Sequence, residues 1–190
     1  MDYLADHAAI VAGKLNMAHL IDYFIQTGKF RDTLKFDVSD AVASNINLLY
    51  YNNRGALPEP EVARAMERLI QPGDTVVDAG ANIGFFTVFM SRLVGPTGTV
   101  IAIEPDPDNM RRLRRNLELN ECANVEIYPV ALGRLHDRVI LHRMEENGMH
   151  STSPKAPTNA GAELGTIDVT QLTLPSILDG RKAKVMKMDI

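Results

Sequence analysis

The stretch that decides the fold is residues 75–84, Thr-Val-Val-Asp-Ala-Gly-Ala-Asn-Ile-Gly. Its first four residues form a short apolar run that ends in an acid, which is typical of a strand covered on both faces. The glycines that come next favour a tight turn, and the residues after it place Phe86, Phe89 and Met90 on one side of a helix. The stretch therefore predicts a buried strand, a glycine-rich loop and a helix in direct succession.

The same succession continues downstream. Residues 99–104 form a second apolar run that ends in an acid, and residues 124–128 open a third. The helix between them is expected to begin at Pro-Asp-Pro-Asp, residues 105–108, because proline and acids suit a first helical turn. Its Leu113 and Leu117 would face the core. This alternation of strands and helices predicts an α/β fold with a doubly wound parallel sheet.

The region upstream of this core is expected to add a smaller unit. Residues 3–28 carry apolar side chains at loosely helical spacing, and residues 34–38 alternate as a short strand does. We assign residues 1–55 to an N-terminal helical and strand extension that serves as a cap or a dimer contact. A helix is predicted from residue 58, with Leu69 among the residues of its apolar face.

Downstream of the core, the pattern changes. Residues 138–142 and 166–170 are predicted strands, residues 174–178 a short helix, and residues 183–190 a last strand. The last strand is expected beside the strand at residues 75–78, and its methionines are expected to fill the core.

The composition limits the class of protein. The chain has 190 residues and a formal net charge of −4, which suits one ordinary domain and argues against nucleic-acid binding. Cys122 is the only cysteine and the histidines lack ligand spacing, so we expect no disulfide and no metal site. The acidic N-terminus and the absence of a long apolar run predict a cytoplasmic protein without a membrane partner.

The loop at residues 78–84 indicates a class of cofactor. Dinucleotide-binding loops use G-x-G-x-x-G because a pyrophosphate must approach bare backbone at a helix N-terminus. Here Asn82 stands where the second glycine would be, so a loop for two phosphates is disfavoured. S-adenosylmethionine fits better, because it has no phosphate and needs an acid beside backbone N–H groups. A nicotinamide-dependent oxidoreductase and a purely structural turn are the alternatives.

Glu104 supports a nucleoside cofactor. It ends the second predicted strand, 24 positions after Gly80, near the spacing at which an acid meets a ribose. A carboxylate there can accept hydrogen bonds from both ribose hydroxyls, and it would repel the 2′-phosphate of NADP. The alternative for a lone glutamate is a solvated surface acid.

Six segments then carry a resemblance to a known family. They are P-E-P-E at residues 58–61, P-G-D at 72–74, V-D-A-G-A-N-I-G at 77–84, V-G-P at 94–96, I-E-P-D-P at 103–107 together with Asn109, and V-A-L-G at 130–133. Together they resemble the FkbM family of S-adenosylmethionine-dependent methyltransferases, over about residues 56–190. The resemblance implies the class I methyltransferase fold, which is Rossmann-like, and methylation of a hydroxyl on a small molecule or a sugar.

The resemblance also implies a set of cofactor contacts. The implied cofactor-binding residues are Asp78, Gly80, Asn82, Gly84, Glu104, Pro105, Val130 and Ala131. The loop residues would line the methionine end, Glu104 would hold the ribose, and residues 129–132 would lie beside the adenine.

The last segment, Lys-Met-Asp-Ile at residues 187–190, resembles the start of the family's K-I-D-x-E-G. The Glu-Gly and the family's later strands and helices are absent, so we interpret residues 56–190 as a methyltransferase domain without its C-terminal part. The acceptor proton would go to Asp189, to His150 or to a group beyond Ile190. A cofactor-binding fragment without turnover is the second interpretation. A homodimer that covers the edge of the last strand is also expected.

Overall fold

The computed structural model describes residues 20–27, 30–37, 59–144, 150, 152 and 162–190. The helices in these residues are α1 Pro60–Leu69, α2 Phe85–Val94, α3 Pro107–Leu119 and α4 Leu174–Leu178. The strands are β1 Leu20–Thr27, β2 Phe30–Asp37, β3 Thr75–Ala79, β4 Thr99–Ile103, β5 Val125–Tyr128, β6 Ala131–Leu132, β7 Asp137–Met144, β8 Glu163–Leu172 and β9 Val185–Met188.

Four parallel strands form the central sheet in the order β5-β4-β3-β9. β3 lies between β4 and β9, so Asp78 has Ala102 opposite it on one side and Lys187 on the other. The connections from β3 to β4 and from β4 to β5 run through α2 and α3. The predicted α/β class is confirmed, and so is the predicted position of the last strand, β9, beside β3.

Apolar side chains cover both faces of this sheet. On one face, alternate residues of β3 and β4 pack with Phe89 of α2 and Leu113 of α3, both fully buried. On the other face, the intervening residues pack with Ile177 of α4, which is 1% exposed. Because both faces are covered, the strands are continuous apolar runs, and a polar side chain at their ends is removed from water.

The N-terminal part of the described chain is a hairpin. β1 and β2 pair antiparallel, with Leu20 opposite Asp37 and Thr27 opposite Phe30. The prediction of a helix is therefore wrong for residues 20–27, while residues 3–19 lie outside the described residues. The spacing of apolar residues within this segment favours a helix. The segment is a strand because it pairs with β2, and the periodicity of one segment cannot show such pairing. The predicted strand at residues 34–38 is confirmed as the second half of β2.

Two asparagines connect β2 to the core. Asn116 lies in α3, and Asn120 is the C-cap residue of that helix. Asn120 accepts from the Lys35 backbone N–H at 2.9 Å and donates to the Lys35 carbonyl at 2.6 Å. Asn116 accepts from the Asp37 N–H at 2.9 Å and donates to the carbonyl of Ile83 at 2.8 Å. Both amides are buried, so they satisfy backbone groups that would otherwise be unpaired away from water.

The N-terminus of α3 is capped as predicted, and the N-cap residue is Asp106. Its side chain accepts from the backbone N–H groups of Asp108 and Asn109. Pro107 occupies the first turn, where its missing N–H costs nothing.

A second sheet of three strands, in the order β6-β8-β7, comes after β5. β7 and β8 are antiparallel, with an irregularity between Arg143 and Met144, and β6 runs parallel to β8. Leu141 and Val169 pack on Ala131. The predicted strands at residues 138–142 and 166–170 are confirmed and are longer than predicted.

Three predicted core residues are exposed. Leu69 is 54% exposed at the last position of α1, and Met186 and Met188 of β9 are 39% and 52% exposed. In the described residues β9 has a paired neighbour, β3, on one side, and no described element covers these methionines. The expectation that they fill the core is therefore wrong for this part of the chain.

We expect Asn116→Ala to destabilise the fold. The substitution leaves the Asp37 N–H and the Ile83 carbonyl without their partner, at about 1–3 kcal/mol for each group that stays dry. Urea denaturation followed by circular dichroism measures this. Arg114→Ala, at an exposed position of the same helix, is the control. Equal midpoints for the two variants would show that Asn116 does not fix β2.

Candidate functional site

The carboxyl ends of β3, β4 and β9 open into a cavity of about 440 Å³. Open parallel sheets bind ligands at this edge. The lining residues are Glu59, Asp78, Gly80, Ala81, Asn82, Ile83, Phe85, Phe86, Ile103, Glu104, Pro105, Asn109, Val130, Ala131, Leu132, Leu141, His150, Thr152, Lys187, Asp189 and Ile190. Of the sequence-predicted site residues, all but Gly84 line this cavity.

The loop after β3 is held by the neighbouring strands. The N–H groups of Gly80 and Ala81 donate to the carbonyl of Ile103 at 2.9 and 3.0 Å. Gly80 has a φ of +81°, and a Cβ on it would lie 2.0 Å from the backbone oxygen of Asp189. The glycine is therefore required by the approach of the chain after β9, in addition to any approach of a ligand.

Gly84 lies outside the cavity and immediately precedes α2. Its φ is +92°, and a Cβ there would lie 2.4 Å from Cδ1 of Leu113 on α3. The structure thus gives this glycine a packing function between two helices, while its predicted contact with a cofactor has no counterpart in the cavity lining.

Asp78 is 1% exposed near the end of β3. Its Oδ2 accepts from the Thr87 hydroxyl at 2.6 Å. No hydrogen-bond donor from the described residues reaches its Oδ1, and Nζ of Lys187 is 3.8 Å away. Burial raises the pKa of this carboxyl, while Lys187 and Thr87 act in the opposite direction. Asp78 thus brings to the cavity a buried acceptor oxygen without a donor.

Glu104 lies at the end of β4 and is 5% exposed. Its Oε2 accepts from the Asn82 N–H at 2.8 Å, and its Oε1 accepts from the Asp106 N–H at 2.9 Å and from Nδ2 of Asn109 at 3.4 Å. Burial raises the pKa of Glu104 to about 7, although all three hydrogen bonds act to lower it. The spacing between Gly80 and Glu104 thus places the Glu104 carboxyl at the end of β4, where it accepts a hydrogen bond from the loop after β3.

The wall beside Glu104 is apolar. Pro105 comes directly after it, and Val130 and Ala131 are 7% and 5% exposed just beyond the end of β5. Ile103 and Leu141 complete this side of the cavity. A flat, weakly polar ring system suits such a wall, next to a carboxylate that accepts hydrogen bonds.

His150 lines the cavity, but its ring nitrogens face protein groups. Nδ1 accepts from the Met144 backbone N–H at 3.0 Å, so the neutral ring carries its proton on Nε2. Nε2 lies 3.8 Å from Oδ2 of Asp106, an oxygen that also accepts from Arg143 at 2.6 Å. Burial lowers the pKa of His150, so the ring is neutral over a wider range of pH.

Asp189 is the other predicted proton acceptor. Its backbone N–H donates to the Ala79 carbonyl at 2.9 Å, which fixes its backbone beside the loop. Its side chain is 71% exposed, and Oδ2 lies 3.6 Å from Nζ of Lys187. The carboxylate therefore stands at the open side of the cavity, within reach of solvent.

Lys187, Phe86 and Asn109 are cavity residues that sequence reasoning did not assign to the site. Lys187 is 9% exposed, and its Nζ lies 5.1 Å above the Phe86 ring. The signal that could have found it is strand register, because Lys187 pairs with Asp78 in adjacent parallel strands and so points to the same face. Asn109 lies three residues after the helix cap Asp106, and its amide reaches back to Glu104.

Comparisons with known proteins agree with this geometry. The model of the methyltransferase FkbM domain matches residues 78–190. This chain belongs to the FkbM methyltransferase family.

Individual relatives match shorter parts of this FkbM chain. Methyltransferase 1 of Beauveria bassiana is 42% identical over 64 residues, 33% of this chain and 25% of the relative. An arsenite methyltransferase of Halobacterium salinarum is 36% identical over 64 residues, 34% of this chain and 16% of the relative. The chain thus spans about a quarter or less of these curated relatives.

Solved structures of methyltransferases also match parts of the chain. An S-adenosylmethionine-dependent methyltransferase from Aquifex aeolicus is 29% identical over 45% of each chain, with a TM-score of 0.37. A methyltransferase from Geobacter sulfurreducens is 24% identical over 48% of this chain and 50% of its own, also with a TM-score of 0.37.

Two further observations concern the described residues alone. None of their helices is long and apolar enough to cross a membrane. They also hold no group of three or more His, Cys, Asp or Glu side chains placed to bind a metal ion.

We expect Glu104 to make stability depend on pH. The folded protein holds this proton with a pKa of about 7, against 4.5 for an ordinary glutamate, so its contribution is full below about pH 4.5 and is lost as the pH rises to about 7. The unfolding free energy should fall over that window by at most about 3 kcal/mol from this residue.

Glu104→Gln should remove that part of the slope, while Asp78 leaves a decline that begins at lower pH. Urea unfolding at several pH values measures both slopes, with the exposed Glu118→Gln as control. A wild-type slope in the Glu104 variant would contradict the assignment.

Proposed function

We propose that this chain forms the cofactor-binding part of an S-adenosylmethionine-dependent methyltransferase whose acceptor is a hydroxyl on a small molecule or a sugar. The observation that carries the proposal is the placement of two buried carboxylates, Asp78 and Glu104, at the adjacent ends of β3 and β4 in one cavity. Family membership supports methyl transfer.

The residues present fit this cofactor. Oδ1 of Asp78 is a buried acceptor that lacks a donor from the described residues, and a ligand ammonium would supply one. Glu104 presents a carboxylate beside an apolar wall, as a ribose and an adenine require. When bound, S-adenosylmethionine supplies a methyl group that its sulfonium already makes electrophilic. What remains for the protein is to orient the acceptor and exclude water.

Asp189 is the stronger candidate for the acceptor proton. Its carboxylate is exposed at the mouth of the cavity, so Oδ2 can accept a proton from an entering hydroxyl and pass it to water. In His150, Nδ1 already accepts from the backbone and Nε2 faces Asp106, so the ring must turn before it can act as a base. We therefore assign His150 a positioning function at the cavity wall.

The alternatives of an oxidoreductase and a fragment without turnover have separate signatures. A dinucleotide would need the N–H groups of the loop for its pyrophosphate. The Asn82 N–H already donates to Glu104, and this carboxylate would repel a phosphate. A fragment without turnover would bind the cofactor but would not transfer its methyl group. The single cysteine is in keeping with a reducing, cytoplasmic setting.

We expect the chain to bind S-adenosylhomocysteine and not NAD, as measured by isothermal titration calorimetry. Glu104→Ala should weaken S-adenosylhomocysteine binding by about 10- to 100-fold, because a ribose hydroxyl loses a charge-assisted acceptor. The exposed Glu118→Ala is the matched control and should bind as the wild type does. Tighter binding of NAD, or unchanged affinity in a folded Glu104 variant, would contradict the proposal.

Turnover is tested with methyl-labelled S-adenosylmethionine and a panel of hydroxylated small molecules and sugars. Where an acceptor is found, Asp189→Asn should lower kcat by about 100-fold or more and leave S-adenosylhomocysteine affinity within about twofold. His150→Gln should change kcat less than Asp189→Asn does. Binding without turnover on any acceptor would favour the inactive fragment.

A further inference from the structure

A second concave surface lies outside the cavity, between α3 and the sheet that contains β7 and β8. This groove has a volume of about 590 Å³, against about 440 Å³ for the cavity at the strand ends. Pro105 lines both, so the groove and the cavity meet at the residue after Glu104. The other residues that line the groove have no part in the proposed methyl transfer, which leaves the groove without a function.

The buried part of the groove lining is apolar. Met110 of α3 and Val169 of β8 are 5% and 7% exposed. Three further lining residues are prolines, at positions 105, 107 and 129. A proline has no N–H to donate and its φ is fixed, so this part of the lining offers apolar contact in a shape that exists before a ligand enters.

Three arginines line the same groove from its two sides. Arg111 and Arg114 belong to α3, and Arg138 belongs to β7. Arg111 and Arg114 are three positions apart on one helix, so their side chains leave neighbouring points of its surface. Among the described residues that line the groove, Asp168 is the one carboxylate. The groove is therefore cationic, on a chain whose formal net charge is −4.

These arginines keep donors that a ligand can use. Nη1 of Arg111 donates to Oδ1 of Asp108 at 2.6 Å. Nε of Arg138 donates to Oδ1 of Asp168 at 2.8 Å. Both pairs are exposed to solvent, where ion pairs contribute little, so an anion can compete for either guanidinium. Arg114 is exposed and has no ion pair or hydrogen bond with any residue that the structure describes.

The volume and the lining together indicate one class of ligand. Small-molecule sites usually have volumes of about 300–1,000 Å³, are mostly apolar and carry a few polar groups that fix orientation. We propose that this groove binds an organic anion, with Arg111 and Arg114 holding its anionic group and the proline-rich lining contacting its apolar body. The forked donors of a guanidinium suit a carboxylate, a sulfonate or a phosphate at that end. The site is independent of the proposed function, because it shares only Pro105 with the cavity.

Three probes separate the body from the charge in titrations of the whole chain. They are 1-anilinonaphthalene-8-sulfonate, N-phenyl-1-naphthylamine, which has the same aromatic body without the sulfonate, and inorganic phosphate, which has the charge without the body. Probe fluorescence should show that the wild type binds the sulfonate about 10-fold or more tightly than the amine. Phosphate should displace the sulfonate, and added salt should weaken the sulfonate without affecting the amine.

The combined variant Arg111→Gln and Arg114→Gln removes both guanidinium groups of α3 from the groove. It should lower the affinity for the sulfonate by about 10-fold or more and leave that for the amine within about twofold. The matched control combines Arg68→Gln and Arg115→Gln, at exposed positions outside the groove, and should change neither affinity beyond about twofold. It removes the same net charge, and circular dichroism with thermal unfolding confirms that both variants are folded.

Four other outcomes would overturn the proposal. A wild type that binds neither fluorescent probe, or binds both equally, would show that the groove does not select an anion. Equal losses in the two combined variants would show that only the net charge of the chain matters. Loss of both probes in the groove variant alone would give its arginines a structural function. Displacement of the sulfonate by S-adenosylhomocysteine would place the probe in the cavity, and the proposed function would stand.

Discussion

The close approach of Gly80 to the end of β9 is the constraint on which the site depends. The position of a Cβ on Gly80 lies 2.0 Å from the Asp189 carbonyl oxygen, so only a residue without one allows the two segments to meet. The Asp189 N–H then reaches the Ala79 carbonyl, and the Gly80 N–H reaches the carbonyl of Ile103. Three strand ends converge through these contacts, which bring the polar side chains of the site to one cavity.

The same convergence buries two ionisable carboxyl groups, whose charged forms are disfavoured away from water. Asp78 and Glu104 are buried between covered strands, and burial raises the pKa of each carboxyl. Glu104 is partly compensated by backbone N–H donors from Asn82 and Asp106, whereas Oδ1 of Asp78 has no donor among the described residues. Uneven compensation of this kind is expected where a ligand, and not the protein, completes the hydrogen bonds.

The sequence predicted the core of the fold because its signals are local. Buried parallel strands are continuous apolar runs, and the loop and cap residues stand directly beside them, so β3, β4 and α3 could be placed from short windows. The hairpin and the site lysine depend on pairing between distant segments. β1 is a strand because β2 lies beside it, and Lys187 joins the site because its register opposes Asp78. The exposed Met186 shows the same limit, since its surroundings depend on which element covers β9.

The N-terminal hairpin is connected to the site through the amide of Asn116. This amide accepts from the Asp37 N–H of β2 and donates to the Ile83 carbonyl, while the preceding residue of the loop, Asn82, donates its N–H to Glu104. Two consecutive loop residues are thus held from opposite sides, one by the helix that carries the hairpin and one by the cavity carboxylate. The described hydrogen bonds therefore connect β2 to the cavity loop through the Asn116 amide. A residue outside the cavity lining therefore helps to fix the backbone that a ligand must meet.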